Sequence, residues 1–436
     1  MAGRVDKLTL GATGLGASIF ILFSVAGMAS GLGCDALMSQ ALGRGETAQA
    51  RRVMWQGMWV GGGGHAACRR ALSARLRIPL TSGCTRMLPT RQAATCMAGR
   101  SLCRRTAAAM VLRSYLQAAR ATRPVLWSSV SMNLFNIAAN WLLLWGDAGL
   151  VPYGLPALGL PALGVFGLGL ASGLASVVQL GVLAAGASRL PCDPAVPAAS
   201  ADEHAEVLGK ALWQTHRPLM RRIFVLGVPA GLQMLAEVGV FTLVSIAMGG
   251  MGPVVAAAHQ TAIILVGLAY SVCVGIGSAT SVYVGRAAGT ANTQAVRWGG
   301  VSGILWAAIA MTLSALMMWL APEALVRLLT DDLQVQQPAV RLLRIAGLFQ
   351  IADGAQAVAT GALRGLGQTS WPLIANVAAY YGLALPLGLY LAYRQNLGPE
   401  GLWWGLCAGL GVVSLALCLA FWRLSGKPVA PLSVGA

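Results

Sequence analysis

Apolar residues in this chain fill long unbroken runs instead of alternating with polar ones. The strongest runs lie near 8–33, 124–146, 163–187, 223–249, 254–284, 298–321, 338–363, 371–393 and 401–422. A weaker run starts at 53–64, and a remnant lies near 107–118. A helix of about 20 apolar residues crosses the roughly 30 Å of bilayer hydrocarbon. Strands of a membrane barrel alternate apolar and polar positions over about ten residues, which these runs do not do. In lipid every backbone polar group has to be paired internally. The pattern therefore predicts an all-α membrane protein of roughly ten spans.

Composition agrees: 56% of residues are hydrophobic and 10% charged, against about 25% charged in soluble domains. The 55 glycines fit helices that approach closely in lipid. The first apolar run is longer than a signal-peptide core and lacks a small-residue cleavage site followed by polar sequence. A net charge of +17 raises the question of nucleic acid, and the distribution answers it. Basic residues gather between spans, as at Arg44, Arg51 and Arg52, at Arg217, Arg221 and Arg222, and at Arg423 and Lys427. Alternate connections lack them: 147–162 carries Asp147 and no Lys or Arg, and 322–337 carries Glu323, Asp331 and Asp332 against Arg327. That is the positive-inside pattern. It places 188–222 and the C-terminus in the cytoplasm and excludes a nucleic-acid partner.

Residues 61–107 depart from this plan. They hold nine Arg, no acid and Cys68, Cys84, Cys96 and Cys103. Without those nine charges the net falls from +17 to +8. The Cys spacings contain no CxxC pair, so zinc is disfavoured, and a nucleic-acid arm would interleave aromatics. Arg, Cys, Pro and Ala are what out-of-frame reading of a GC-rich gene yields. We favour that origin over a genuine basic loop.

The halves echo each other, as transporters built from repeats do. Ser39-Gln-Ala-Leu-Gly43-Arg44 matches Ser281-Val-Tyr-Val-Gly285-Arg286, and Gln49, Arg52, Leu112, Arg113, Thr122 and Pro124 match Gln294, Arg297, Leu363, Arg364, Thr369 and Pro372. Both copies run span, basic loop, span, so the repeat is parallel. Further stretches are Val228 to Phe241, Ala257-Ala-His259-Gln260, Gly277 to Arg286, Asp353-Gly-Ala-Gln356, Gly361 to Gly365 and Asn136-Ile-Ala-Ala-Asn140. In these stretches, and in their order, the chain resembles the multidrug and toxic compound extrusion (MATE) family, in its bacterial cation-coupled NorM-like branch. The resemblance covers about 8–60 and 108–425. It implies a twelve-helix fold of two six-helix lobes. Set against that plan, the family's first helix, with the acid it carries, has no counterpart here, and helices three and four fall under 61–107. The expected layout is an incomplete N-terminal lobe over 1–187, a cytoplasmic linker over 188–222, a C-terminal lobe over 223–424 and a tail over 425–436.

Charge inside hydrocarbon is the sharpest functional signal. Glu237 is the sole formal charge between Arg222 and Arg286, and Asp353 between Arg344 and Arg364. An ionisable residue at bilayer depth costs about 2.5–3.5 kcal/mol on insertion scales and marks a functional site. An isolated buried carboxylate takes up a proton; it also suits Na⁺ or a cationic substrate. The alternative is a neutral acid that only hydrogen-bonds neighbouring helices. Gln350, Asp353, Gln356 and Thr360 share one helix face, as do Gln233, Glu237, Phe241 and Ser245. With Phe349, one turn from Asp353, and His259, these residues are the candidate substrate cavity, though His259 and Phe349 fit packing roles as well. Asn136 and Asn140, one turn apart, offer oxygens for an ion in the first lobe or an interhelical hydrogen bond. The resemblance supports cation coupling at Glu237 and Asp353.

No HExxH, intramembrane DDxxD or GxSxG elbow in a plausible setting is present, so an enzyme is not expected. The expected function is H⁺- or Na⁺-coupled efflux of organic, cationic compounds across a bacterial inner membrane, by a monomer needing no cofactor beyond the coupling ion. A lipid-linked flippase and an inactive remnant are the alternatives, and 61–107 predicts poor transport for the chain as written. Topology is testable directly. A Cys introduced within 200–206 should react with an impermeant maleimide only from the cytoplasmic side, and one at 331–332 only from outside. Reversed labelling would overturn the orientation.

Overall fold

The computed structural model describes residues 29, 31–75, 105–146, 163–189, 216–428 and 432. Among them there is no strand. The order is α1 (31–43), α2 (Thr47–Arg75), α3 (105–118), α4 (Thr122–Trp145), α5 (Gly164–Ser188), α6 (Arg217–Gly250), α7 (Pro253–Gly289), α8 (Thr293–Leu320), α9 (Pro322–Arg327), α10 (Leu333–Gly365), α11 (Ser370–Arg394) and α12 (Pro399–Ser425). Most of the expected span at 8–33, the connections 147–162 and 190–215, and residues 76–104 of the anomalous segment lie outside the described residues.

Six described helices are long and apolar enough to cross a membrane: Gly169–Ser188 within α5, then α6, α7, α8, α11 and α12. The expected run at 338–363 falls inside α10, whose hydropathy is lowered by its own polar stripe. Large apolar side chains point outward along the spans, among them Ile246, Leu268, Leu305 and Leu415. Lipid, unlike water, accepts such a surface. One element extends beyond its expected limit. The apolar pattern stops at Val60, yet α2 continues to Arg75. Ala, Leu and Arg are good helix formers, so this basic stretch winds as helix without being apolar.

The chain divides into two compact units, one containing Thr47–Val225 and the other Asp35–Glu46 with Leu226–Ala436. In the first unit α4 and α5 pack side by side. Gly167 lies against the Leu143 carbonyl and Gly186 against Pro124, where any Cβ would collide.

The second unit uses the same device at greater length. Helices in lipid gain little from burying apolar surface against each other, so close packing of small residues drives their association. On α12, Gly401, Gly405 and Gly409 recur every fourth residue. Gly401 meets Leu391 and Ala392, Gly405 meets Gly388 and the Ala384 carbonyl, and Gly409 meets Ala384. Between α7 and α10, Gly361 rests on the Gly277 carbonyl and Gly365 on that of Ser281. The two copies of the repeat motif also touch within this unit. Gly43 sits on the Arg286 backbone, Gly289 on that of Gln40, and the Gln40 amide donates to the Gly365 carbonyl at 3.0 Å.

α11 is not a uniform α-helix. Tyr380–Ala384 and Tyr390–Arg394 are wound with i→i+5 bonds. The Leu385 N–H reaches the Tyr380 carbonyl, and Gln395 N–H reaches Tyr390. Pro386 lies between them and has no N–H for the turn before it, a usual cause of such breaks.

Gly405→Val should disrupt the α11–α12 contact, since overpacking costs about 1–3 kcal/mol. Gly411→Val, on the same helix with nothing within 4 Å of its added carbon, should be tolerated. Thermal unfolding of the detergent-purified variants checks this; equal melting temperatures would contradict it.

Candidate functional site

The two isolated acids come together in the second unit. Glu237 sits on α6 between Pro229 and the helix end at Gly250, one turn beyond Gln233. The Gln233 side-chain amide donates to Glu237 Oε2 at 3.0 Å, and the Tyr270 hydroxyl of α7 donates to Glu237 Oε1 at 2.8 Å. Asp353, on α10, is 4% exposed. It lies close enough to Glu237 for the two carboxylates to repel each other, with the Tyr270 and Tyr380 phenols and the Cys273 thiol nearby. Arg364, a cation near enough to attract the Glu237 carboxylate, stands 4.0 Å from Asp35. Asp353 is thus buried and Glu237 half-buried on different helices, and the Tyr270 and Tyr380 phenols lie within range of both.

The polar stripe of α10 faces inward as its spacing predicts. Gln350 donates to Ser314 Oγ at 3.1 Å and to Met318 Sδ at 3.3 Å. Gln350 Oε1 and Thr360 Oγ1 are buried without a hydrogen-bond partner. Gln356 accepts from the Tyr380 hydroxyl at 2.8 Å. Gln233, Thr360, Arg364, Gln368 and Thr369, with Ala230 and Pro372, line a crevice too narrow to hold a water molecule.

His259 and Phe349 are held differently. His259 is 1% exposed, and both ring nitrogens are engaged. The Trp403 indole N–H donates to Nδ1 at 3.1 Å, and Nε2 lies 2.9 Å from Ser245 Oγ. An indole only donates, so Nδ1 accepts, and the neutral ring carries its proton on Nε2 and donates to Ser245. Ser245 in turn donates to the Phe241 carbonyl at 2.8 Å. Phe349 stacks at a tilt on Trp403, with ring centroids 5.9 Å apart, and Phe241 packs partly buried against the same core. In the first unit the Asn140 amide donates to Asn136 Oδ1, while Asn140 Oδ1 is buried without a hydrogen-bond partner.

Tyr270, Tyr380 and Tyr381 were not singled out from the sequence, and Arg364 was read only as part of the repeat. The signal for the tyrosines was there: membrane proteins place Tyr at the two interfaces, and these three lie well inside apolar runs. A mid-span phenol needs a polar partner, which here is an acid, an amide or a backbone carbonyl.

An all-helical, multi-pass membrane protein with paired acids inside a glycine-laced helix unit defines the class. The MatE family model matches residues 1–66 and 229–390, and the chain belongs to that family. A relative from Brucella suis named "Probable multidrug resistance protein NorM" is 32% identical over 319 residues, 72% of this chain and 63% of its own length. The chain therefore spans less than two thirds of that relative. The protein of the same name from Pseudomonas syringae is 29% identical over 97% of this chain and 89% of its own length. Among solved structures, the Vibrio cholerae MATE transporter VcmN in the bent form superposes with a TM-score of 0.76 at 18% identity, covering 98% of this chain and 90% of that one. That likeness fixes the fold.

His259→Ala should lower stability, because it strands the Trp403 N–H in the core. An unpaired buried donor costs about 1–3 kcal/mol. Thermal melts of the purified protein read the loss; an unchanged melting temperature would show that the Trp403–His259–Ser245 chain carries no weight.

Proposed function

We propose that this chain is a cation-coupled carrier that exports organic, cationic compounds across the bacterial inner membrane, with its C-terminus in the cytoplasm. The observation that carries the reading is the placement of buried Asp353 and half-buried Glu237 on separate helices, with Tyr270 bonded to Glu237 and near Asp353. A carboxylate at that depth needs a proton or a cation as company. Binding a cation or proton and binding a cationic substrate then compete for the same negative charge. That competition is what an antiporter requires: release of one partner is coupled to capture of the other. H⁺ and Na⁺ both fit a pair of carboxylates with a phenol and an amide beside them. Membership of the MatE family and the multidrug-resistance names of its relatives support export as the direction. Alternating access by two lobes, as in other repeat-built carriers, supplies the movement.

Efflux of ethidium from an efflux-deficient bacterial host tests the proposal. Asp353→Asn and Glu237→Gln should each reduce efflux to near background at similar protein level. Undiminished efflux from both variants would remove these acids from the mechanism. Absence of efflux from the unmodified chain would overturn the carrier reading for this sequence.

A further inference from the structure

Two consecutive tyrosines of α11 reach the helices of both acids. The Tyr380 hydroxyl donates to Gln356 Oε1 at 2.8 Å, one turn beyond Asp353 on α10. The Tyr381 hydroxyl donates to the Ala236 carbonyl at 3.0 Å, the residue before Glu237 on α6. Gly239 leaves room for that phenol; a side chain there would occupy the hydroxyl's place. In a regular helix neighbouring side chains diverge. Here both residues lie in the i→i+5 stretch Tyr380–Ala384, a winding that is rare and concentrated at functional positions. α11 is also clamped along its length, since Gly405 and Gly409 of α12 bring backbone against Ala384 and Gly388.

We propose that Tyr380 and Tyr381 are positioning residues: a two-pronged brace, mounted on α12, that sets the spacing and hydrogen bonding of the Glu237 and Asp353 helices. Neither phenol needs to touch ion or substrate. Each holds a group beside one acid, so the brace couples the two acids through one rigid element. Loss of the Tyr380 hydroxyl leaves the buried Gln356 Oε1 unpaired, and loss of the Tyr381 hydroxyl removes the tie between α11 and the α6 backbone beside Glu237. The inference deepens the carrier reading and rests on it for its transport consequence. Glu237 faces Tyr270, Tyr380, Gln233, Arg364 and Asp353, and Asp353 faces Glu237, Tyr270, Tyr380 and Cys273. None of these is altered by Tyr381→Phe, which makes that variant the cleaner probe.

The test uses two measurements on the full chain. Infrared difference spectra across a pH titration of the purified protein read the protonated-carboxyl C=O band, assigned by its loss in Glu237→Gln or Asp353→Asn. Tyr380→Phe and Tyr381→Phe should each displace its midpoint by about half a pH unit or more. Tyr393→Phe, exposed on the same helix, should leave it in place. In everted vesicles given ethidium, the two variants should lower maximal turnover roughly fivefold or more, with KM held within about twofold. A band that titrates alike in the unmodified chain and in both variants would overturn the brace, whatever transport does. A displaced band with no ethidium transport by the unmodified chain would sink the carrier reading and leave the brace standing.

Discussion

At the depth where these helices cross, lipid offers a polar atom no partner, so most such atoms are met from within the protein. That constraint organises the second unit. The Glu237 carboxylate is met by Tyr270 from α7 and Gln233 from its own helix. Gln356 is met by Tyr380, and His259 by Trp403 on one side and Ser245 on the other. Each bond joins side chains that could equally have faced a neighbouring water in a soluble protein. Here they choose partners, and their choices fix which helix lies beside which.

Close approach is the second half of the same constraint. Hydrogen bonds of about 3 Å between side chains on different helices need the axes to be near, and glycine supplies the distance. Gly401, Gly405 and Gly409 carry α12 onto α11, while Gly277, Gly361 and Gly365 join α7 to α10. α11 is thus held by backbone contact with α12 while its tyrosines reach α10 and α6. Two adjacent phenols in the i→i+5 stretch before Pro386 reach two different helices.

How far the sequence could be read follows from these same forces. Spans were legible because lipid imposes length and apolarity on each element separately. Glu237 and Asp353 were legible because a lone charge in an apolar run is too costly to stand there without a role. The one-face spacing of Gln350, Asp353 and Gln356 was legible from helical period alone. Tyr270 and Tyr381 were not picked out, because a phenol is apolar enough to pass as packing until its partner on another helix is known. His259 could be read as a cavity or a packing residue; its engagement depends on Trp403, separated from it by 144 residues. The onward course of α2 past Val60 was not legible in the apolar pattern, because helix formation there follows propensity.

The contact between the repeat copies has a consequence for biosynthesis. Residues 35–46 belong to the second unit, yet the Gly365 carbonyl that Gln40 binds lies 325 residues further along the chain. Ribosomes add about 5–20 residues per second, so this segment leaves the ribosome on the order of tens of seconds before its partners exist. For that interval Gly43 and Gln40 present a bare, close-packing surface with nothing to fill it. The folding of this unit is therefore finished by its earliest piece, which must be kept from wrong neighbours until the last helices have been inserted.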